Sequence, residues 1–400
     1  MDLNKKISNL PNWFKAILLA LILYLFLVSI SLMGAAFKND FFKGISKSLI
    51  EQADPFAGLF IGILATSLIQ SSSTTTSMIV TFFAASLGAQ TFANSMELNT
   101  AISAALVTAV PMIMGANIGT SVTNTIVSIA HISVGDEFKK AFSAATIHDF
   151  FNIMAVIVIL PLQYKFNIIG ETAHYFAKFF IQSGVQTEKS TNYYKMAIKW
   201  AADPIKNLVN TIPNPFDGIG SSEFHAIFLL VLGVAILLIS LKYLVTLLKS
   251  LVLEKAEKFF DKYLFRNAAL AMFFGIILTI SVQSSSVTTS LIVPLVGAGV
   301  LTLRQIYPFT LGANIGTTVT AIIAAAAVIE GKELGLTIAF AHLLFNLCGI
   351  ALLWPIRAIR DIPMNLSLRF ADIVVEHKSL AFVYVLVMFF GIPLTLILLS

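Results

Sequence analysis

Two near-copies of one polar phrase, Gln70-Ser71-Ser72-Ser73-Thr74-Thr75-Thr76-Ser77 and Gln283-Ser284-Ser285-Ser286-Val287-Thr288-Thr289-Ser290, each interrupt an otherwise apolar stretch. A polar group left unpaired in hydrocarbon costs a few kcal/mol, so both strings must line something polar inside a folded bundle. Lipid is the relevant solvent, because hydrophobic residues make up 57% of the 400 and charged residues only 12%. Mean hydropathy is +0.87, whereas a soluble domain is about half apolar and a quarter charged.

Apolar runs at 14–37, 223–248 and 379–399 are each long enough to cross a bilayer core of ~30 Å, and further apolar segments are broken by Gly, Pro, Ser or Thr. The expected fold class is therefore all-α: a polytopic helical bundle, multi-pass in the cell membrane, the inner membrane if the source is bacterial. The net charge of +5 is read through its placement beside apolar runs, where Lys and Arg report orientation; no nucleic-acid partner is expected. The N-terminal run after Lys5, Lys6 and Lys15 exceeds a signal-peptide core, which favours a first membrane helix with a cytoplasmic N-terminus. The single cysteine, Cys348, lies in the apolar segment Thr337–Leu353 and offers neither a disulfide nor a thiolate metal site.

Other phrases recur in the same order. Gly115-Ala116-Asn117-Ile118-Gly119-Thr120 returns at Gly312-Ala313-Asn314-Ile315-Gly316-Thr317, and His148-Asp149-Phe150-Phe151-Asn152 at His342-Leu343-Leu344-Phe345-Asn346. This is an internal duplication. The chain divides into a first repeat at 1–162, a polar linker outside the bilayer at 163–222, and a second repeat at 223–400. The offset between copies falls from 213 residues at the polar strings to 197 at the Gly-Ala-Asn phrases, placing about 16 extra residues in the first repeat, within Ala89–Leu106. Lysines precede the first apolar run but follow its counterpart at 223–248, so the repeats are expected to be inverted. The mixed-charge stretch Leu251–Phe265 reads as an interfacial helix or a solvated connector.

The run Phe56–Ile69 spans 14 residues, about 21 Å of helix, and stops short of a crossing at Gln70. With Met78–Leu87 behind the string, Phe56–Leu87 reads as a re-entrant hairpin, repeated at Ala268–Val300. Ser and Thr cap helix N-termini, so each string aims free N–H groups and a positive dipole end at the break. Two such ends, with serine hydroxyls and the amides of Gln70 and Gln283, suit an oxyanion. The Gly-Ala-Asn phrases offer Asn117, Thr120, Asn314 and Thr317 as neutral oxygen donors, with glycines expected to let the backbone leave helical geometry and expose carbonyls. Such donors point to Na⁺ and away from zinc. Asp149 lies among apolar residues and needs a cation or hydrogen-bond donors; its repeat partner is Leu343, so a cation site in the first repeat only is expected. The plainer reading of Asp149 is a carboxylate capped locally near a helix end, that of Asp136 a loop or cap residue, and that of His148 and His342 packing. Trp13, Trp200 and Trp354 read as interface anchors.

On these residues the chain resembles the type II sodium-phosphate cotransporter family. The resemblance rests on both Gln-Ser-Ser-Ser motifs, on 115–125, on Ala141–Asn152 and on Gly312–Thr320. It implies Na⁺-driven import of inorganic phosphate by alternating access, with Na⁺ as coupling ion and no cofactor. It further implies a phosphate site at Gln70, Ser71, Ser72, Ser73 and Thr74 with Ser284, Ser285 and Ser286. One sodium site is implied at Gln283, Ser284, Ser285, Thr317 and Thr320, and a second cation region at Asp136, Asp149 and Asn152. The carboxylate at Asp149 marks electrogenic members of the family. Animal members carry disulfides in the loop between repeats and long cytoplasmic tails; this chain has no cysteine in that loop and Ser400 closes its last helix, so regulation through such tails does not carry over. A bacterial member of the family is expected. A Na⁺-coupled carrier of sulfate or a carboxylate is the main alternative, and an anion channel a more distant one. No nucleophile–base pair, metal cluster or protein partner is evident, so an enzyme is not expected.

Overall fold

The structure is a computed structural model and describes residues 10–51, 54–90, 94–183, 188–263, 267–328 and 331–399. Among these residues it is all α-helical. Seven helices or helix pairs are long and apolar enough to cross a membrane: Trp13–Phe37, Ser95–Ile129, Gly135–Phe166, Ser221–Leu241, Leu303–Ala327, Lys332–Leu353 and Ser379–Leu399. The protein is a multi-pass membrane protein.

Helix α1 is Asn12–Phe37 and α2 is Asp40–Glu51, followed by α3 at Pro55–Ile69, α4 at Ser72–Gly88, α5 at Ser95–Gly119 and α6 at Ser121–Ile129. Helix α7 runs Gly135–Phe166, α8 Ile168–Gln182 and α9 Glu188–Asn210. The second half opens with α10 at Ser221–Tyr263, then α11 at Ala268–Val282, α12 at Ser285–Gly297, α13 at Leu303–Ala327 and α14 at Lys332–Leu353. Helix α15 is Arg357–Glu376, α16 Ser379–Leu386 and α17 Ile392–Leu399, the last two joined by a π-helical turn at Val387–Gly391. The stretch 251–263 continues α10 rather than forming a helix of its own, while Leu264, Phe265 and Arg266 lie outside the described residues. Between the repeats, α8 buries Ile169, Ala173 and Ala177 in the main core, so this segment folds onto the bundle.

The halves pack crosswise. Helix α1 lies along α10; α4 packs on α13 and α14, while α12 packs on α6 and α7; α8 packs on α14, while α15 packs on α7. Each element of one half thus meets the partner of its own counterpart, the reciprocal pattern that a two-fold axis produces. The surplus in the first half lies mainly in α5, which starts 20 residues before Gly115, whereas α13 starts nine before Gly312. A further four residues lengthen α4 relative to α12.

Within each half one short helix lies in close contact with one long one, α3 with α5 and α11 with α13. A Cβ placed on Gly115 would sit 1.9 Å from the Leu59 carbonyl oxygen, and one on Gly312 would sit 1.9 Å from that of Met272. The expectation that these glycines release the backbone is therefore corrected. Helix α13 runs through Gly312 and Gly316, α5 runs through Gly115 as far as Gly119, and what the missing side chain permits is backbone-to-backbone approach, as at small-residue helix contacts in membranes.

Candidate functional site

Both polar strings form a helix–turn–helix tip of the same construction. Helix α3 ends at Gln70, which is left-handed at φ 55° and donates its N–H to the Thr66 carbonyl at 2.7 Å. Ser71 is extended and caps α4, its Oγ accepting from the Thr74 N–H at 3.2 Å and from the Thr74 hydroxyl at 2.8 Å. In the second half Gln283 has φ 52°, its N–H donates to the Thr279 carbonyl at 2.6 Å, and Ser284 accepts from the Val287 N–H at 3.3 Å. A non-glycine residue in this region is strained by about 1 kcal/mol or more; the same glutamine carries that strain twice, each time where a half-helix must stop.

The two tips touch. The Ser73 hydroxyl donates to the Gln283 carbonyl at 3.0 Å. Ser72, Ser73, Thr74, Ser285 and Ser286 are buried, Ser71, Gln283 and Ser284 are half-buried, and Gln70 is exposed. The hydroxyls of Ser72, Ser285 and Ser286 have no hydrogen-bond partner among the described residues. The first-turn N–H groups of α4 and α12 lack a carbonyl one turn back, and each cap satisfies only one of them. The later residues of the strings behave differently: Thr75, Thr76, Ser77, Thr288, Thr289 and Ser290 all donate to carbonyls three or four residues back in their own helices. Thr289 also donates to Asn124 Oδ1 at 2.9 Å. Only the front of each string is therefore free to hold a ligand.

Behind the tips, a buried amide and imidazole network ties the halves together reciprocally. Asn117 Oδ1 accepts from His342 Nε2 at 3.0 Å, and Asn314 Oδ1 accepts from His148 Nε2. The Asn117 amide donates to Asn346 Oδ1 at 2.8 Å, and the Asn314 amide to Asn152 Oδ1 at 2.9 Å. Asn152 donates to the Asn117 carbonyl at 3.1 Å, and Asn346 to the Asn314 carbonyl at 3.3 Å. The side-chain oxygens of Asn117 and Asn314 thus already accept from imidazoles across the repeat boundary. Sequence reasoning quoted the two His phrases but left His148, His342 and Asn346 out of the site; their common spacing was the available signal.

Of the threonines, Thr120 and Thr317 donate to carbonyls one turn back, those of Ala116 and Ala313, each at 3.0 Å. Thr320 is buried and its hydroxyl has no partner; the same is true of Thr279, and of their repeat equivalents Thr123 and Thr66. A buried hydroxyl without a partner costs about 1–3 kcal/mol. Thr279 lies against Gly316, and Thr66 against Gly119, which puts both unpaired hydroxyls where a short helix reaches its turn and crosses the Gly-Ala-Asn phrase. Sequence analysis missed Thr66 and Thr279, although both stand four residues before the repeated glutamine.

Asp149 is fully buried on α7. Its Oδ2 accepts from the Tyr384 hydroxyl at 2.8 Å, and Oδ1 has no partner. Tyr384 belongs to the last membrane span, in an aromatic cluster with Phe142, Phe370 and Phe389. Asn152, three residues on along the helix, belongs to the cross-repeat network, bonding to the Asn117 carbonyl and the Asn314 amide. Asp136 is not brought to this place: it is exposed in the first turn of α7, thirteen residues or about 20 Å along the helix. Among the described residues no group of three His, Cys, Asp or Glu side chains is arranged to hold a metal ion.

The arrangement offers two kinds of chemistry side by side: helix-end N–H groups with unpaired serine hydroxyls for an anion, and unpaired threonine oxygens with one buried carboxylate for small hard cations. The chain matches the profile described as Na⁺/Pi-cotransporter over residues 25–185 and 236–394. It is 32% identical to the human sodium-dependent phosphate transport protein 2B over 95% of this chain and 64% of that protein. It is 33% identical to the rabbit (Oryctolagus cuniculus) sodium-dependent phosphate transport protein 2A, over 94% of this chain and 66% of the relative. The chain thus spans about two thirds of the length of these relatives. No solved structure was found to match.

Proposed function

Because the chain belongs to the Na⁺/Pi-cotransporter family, we propose that it is a secondary carrier, not an enzyme, that imports inorganic phosphate by Na⁺-coupled symport. The observation that carries this reading is the contact of two equivalent hairpin tips through Ser73 and Gln283, with unpaired hydroxyls of Ser72, Ser285 and Ser286 around it. Phosphate is held by these serines together with Ser71, Ser73, Ser284, Thr74 and Gln70, and by the free first-turn N–H groups of α4 and α12. Helix ends bind such anions without needing a cationic side chain.

Na⁺ is held by Gln283, Ser284, Ser285, Thr317 and Thr320, the last with a buried unpaired hydroxyl. A second Na⁺ uses the free oxygen of Asp149, with Asn152 nearby on the same helix and Asn117, Thr120 and Asn314 framing the site. The repeats are inverted, so each tip reaches the bilayer interior from the opposite side. Na⁺ binding offsets the charge of the anion and lets the hairpins close over it, and alternating access follows as the hairpin-bearing halves move against the remaining helices. An unneutralised dianion in low dielectric would not cross.

The test is uptake of radiolabelled phosphate into proteoliposomes holding the full chain, with Na⁺ or choline outside and with sulfate, succinate or arsenate as competitors. Stimulation by Na⁺ and competition by arsenate alone are expected; equal inhibition by sulfate or succinate would move the substrate to another anion. Gln283→Gly removes the amide and the left-handed strain together. Its melting temperature should not fall, since relief of about 1 kcal/mol accompanies the change, while the Na⁺ concentration for half-maximal uptake rises. A lower melting temperature with unchanged Na⁺ dependence would assign this glutamine to the fold alone.

A further inference from the structure

Where α11 and α13 begin and α14 ends lies a cavity of about 290 Å³, lined by Arg304, Tyr307, Trp354, Arg360 and Asp361 among others and by none of the residues of the hairpin tips. Its charge is unbalanced. Arg304, Arg357 and Arg360 share the single carboxylate of Asp361 at 3.5, 3.7 and 3.7 Å, longer than the roughly 2.7–2.9 Å of a well-formed charge-assisted pair. Arg304 and Arg360 line the cavity with Asp361, leaving one positive charge in excess in its wall, and Arg357 adds a second beside it. The Arg360 guanidinium stands 5.0 Å over the Trp354 ring, which packs edge-on against Tyr307 at 5.4 Å. Tyr307 is only 3% exposed, and its hydroxyl is buried with no hydrogen-bond partner.

An arginine cluster flanking a membrane helix is common and by itself reports only orientation. Here Arg304 and Arg360 border a formed cavity, the Asp361 carboxylate that they share is held at long distance, and a buried phenol in the wall is left unpaired. Guanidinium groups recognise phosphoryl oxygens in a fixed fork geometry, and an indole at the end of a membrane helix lies at headgroup depth. We propose that this cavity binds a phosphoryl oxyanion, either the headgroup of an anionic phospholipid or free phosphate on that face, with Arg304 and Arg360 as its charged ligands.

Trp354 is the reporter. The protein has three tryptophans, and Trp13→Phe with Trp200→Phe leaves Trp354 as the only indole of the full chain. In nanodiscs, brominated phosphatidylglycerol should quench Trp354 more strongly than brominated phosphatidylcholine. Arg304→Gln with Arg360→Gln should weaken that preference about 25-fold in apparent affinity, taking roughly fivefold per arginine near a charged surface. If the two lipids quench alike, but inorganic phosphate in phosphatidylcholine nanodiscs changes Trp354 emission saturably and the double variant abolishes the change, the oxyanion is free phosphate. Absence of both responses, or persistence of either in the double variant, overturns the proposal. Arg304, whose side chain is 63% exposed, is also changed alone, so a folding defect in the double variant does not decide the result. The fluorescence readout does not depend on transport, and Na⁺-stimulated uptake by the variants is measured separately.

Discussion

Replacing Gly312 with valine is expected to remove folded protein from the membrane, while Gly44→Ala leaves yield and melting temperature unchanged. At Gly312 even a Cβ would lie 1.9 Å from the Met272 carbonyl oxygen and 3.0 Å from the Ile276 nitrogen. Both are backbone atoms of α11, so no side-chain rotation relieves the clash and the two helices must separate. Overpacking typically costs about 1–3 kcal/mol when side chains can yield, and this contact sits above that range because only backbone can move. The same helices carry the left-handed Gln283 turn and Thr320, so separation also opens the proposed Na⁺ site. At Gly44 nothing lies within 4 Å of an added Cβ, and in a helix interior alanine is favoured over glycine. Detergent-extracted yield and size-exclusion profile check both variants; a monodisperse, stable Gly312→Val protein would show that the close approach of α11 and α13 is not required.

Asp149→Asn is expected to raise the Na⁺ concentration for half-maximal phosphate uptake about tenfold to a hundredfold, the factor that a charge-assisted contact of roughly 1.5–3 kcal/mol supplies. It should also lower the charge moved per phosphate. The substitution preserves shape and still accepts from Tyr384, so packing in the cluster with Phe142 and Phe389 should persist. What it removes is the negative charge on a fully buried side chain whose Oδ1 has no partner. Tyr384→Phe keeps the charge but takes away the phenol that donates to Oδ2, and a smaller shift in the same direction is expected. Measurement of uptake against Na⁺ concentration and of transport current in the same liposomes separates the two. Unchanged Na⁺ dependence and current in Asp149→Asn would reduce this carboxylate to a structural partner of Tyr384.

Much of the architecture was legible because membrane helices announce themselves by length and polarity. The short runs ending at Gln70 and Gln283 do stop there, and Ser71 and Ser284 are the caps their residue type suggested. Direction within a helix was not legible. All eight residues of each string looked alike as polar atoms in an apolar run, yet Thr75 through Ser77 turn their hydroxyls back to their own carbonyls while Ser72 keeps its free. The glycines of the Gly-Ala-Asn phrases were read as freedom of the backbone, whereas they mark contact, a distinction only the neighbouring helix makes. Asn117 and Asn314 were assigned by oxygen chemistry alone, and their imidazole partners lie more than 160 residues away in the chain. Tyr384, 235 residues from Asp149, left no local signal at all.

The central claim is that one site formed by the two touching tips binds Na⁺ and phosphate together, and coupling of that kind must run in both directions. Proteoliposomes holding equal Na⁺ inside and out, with an inward phosphate gradient and the membrane potential clamped, test this most directly. The account predicts that ²²Na⁺ accumulates against its own gradient while phosphate enters, and that Ser73→Ala with Ser286→Ala abolishes both fluxes. Phosphate entry that leaves ²²Na⁺ at equilibrium would contradict it.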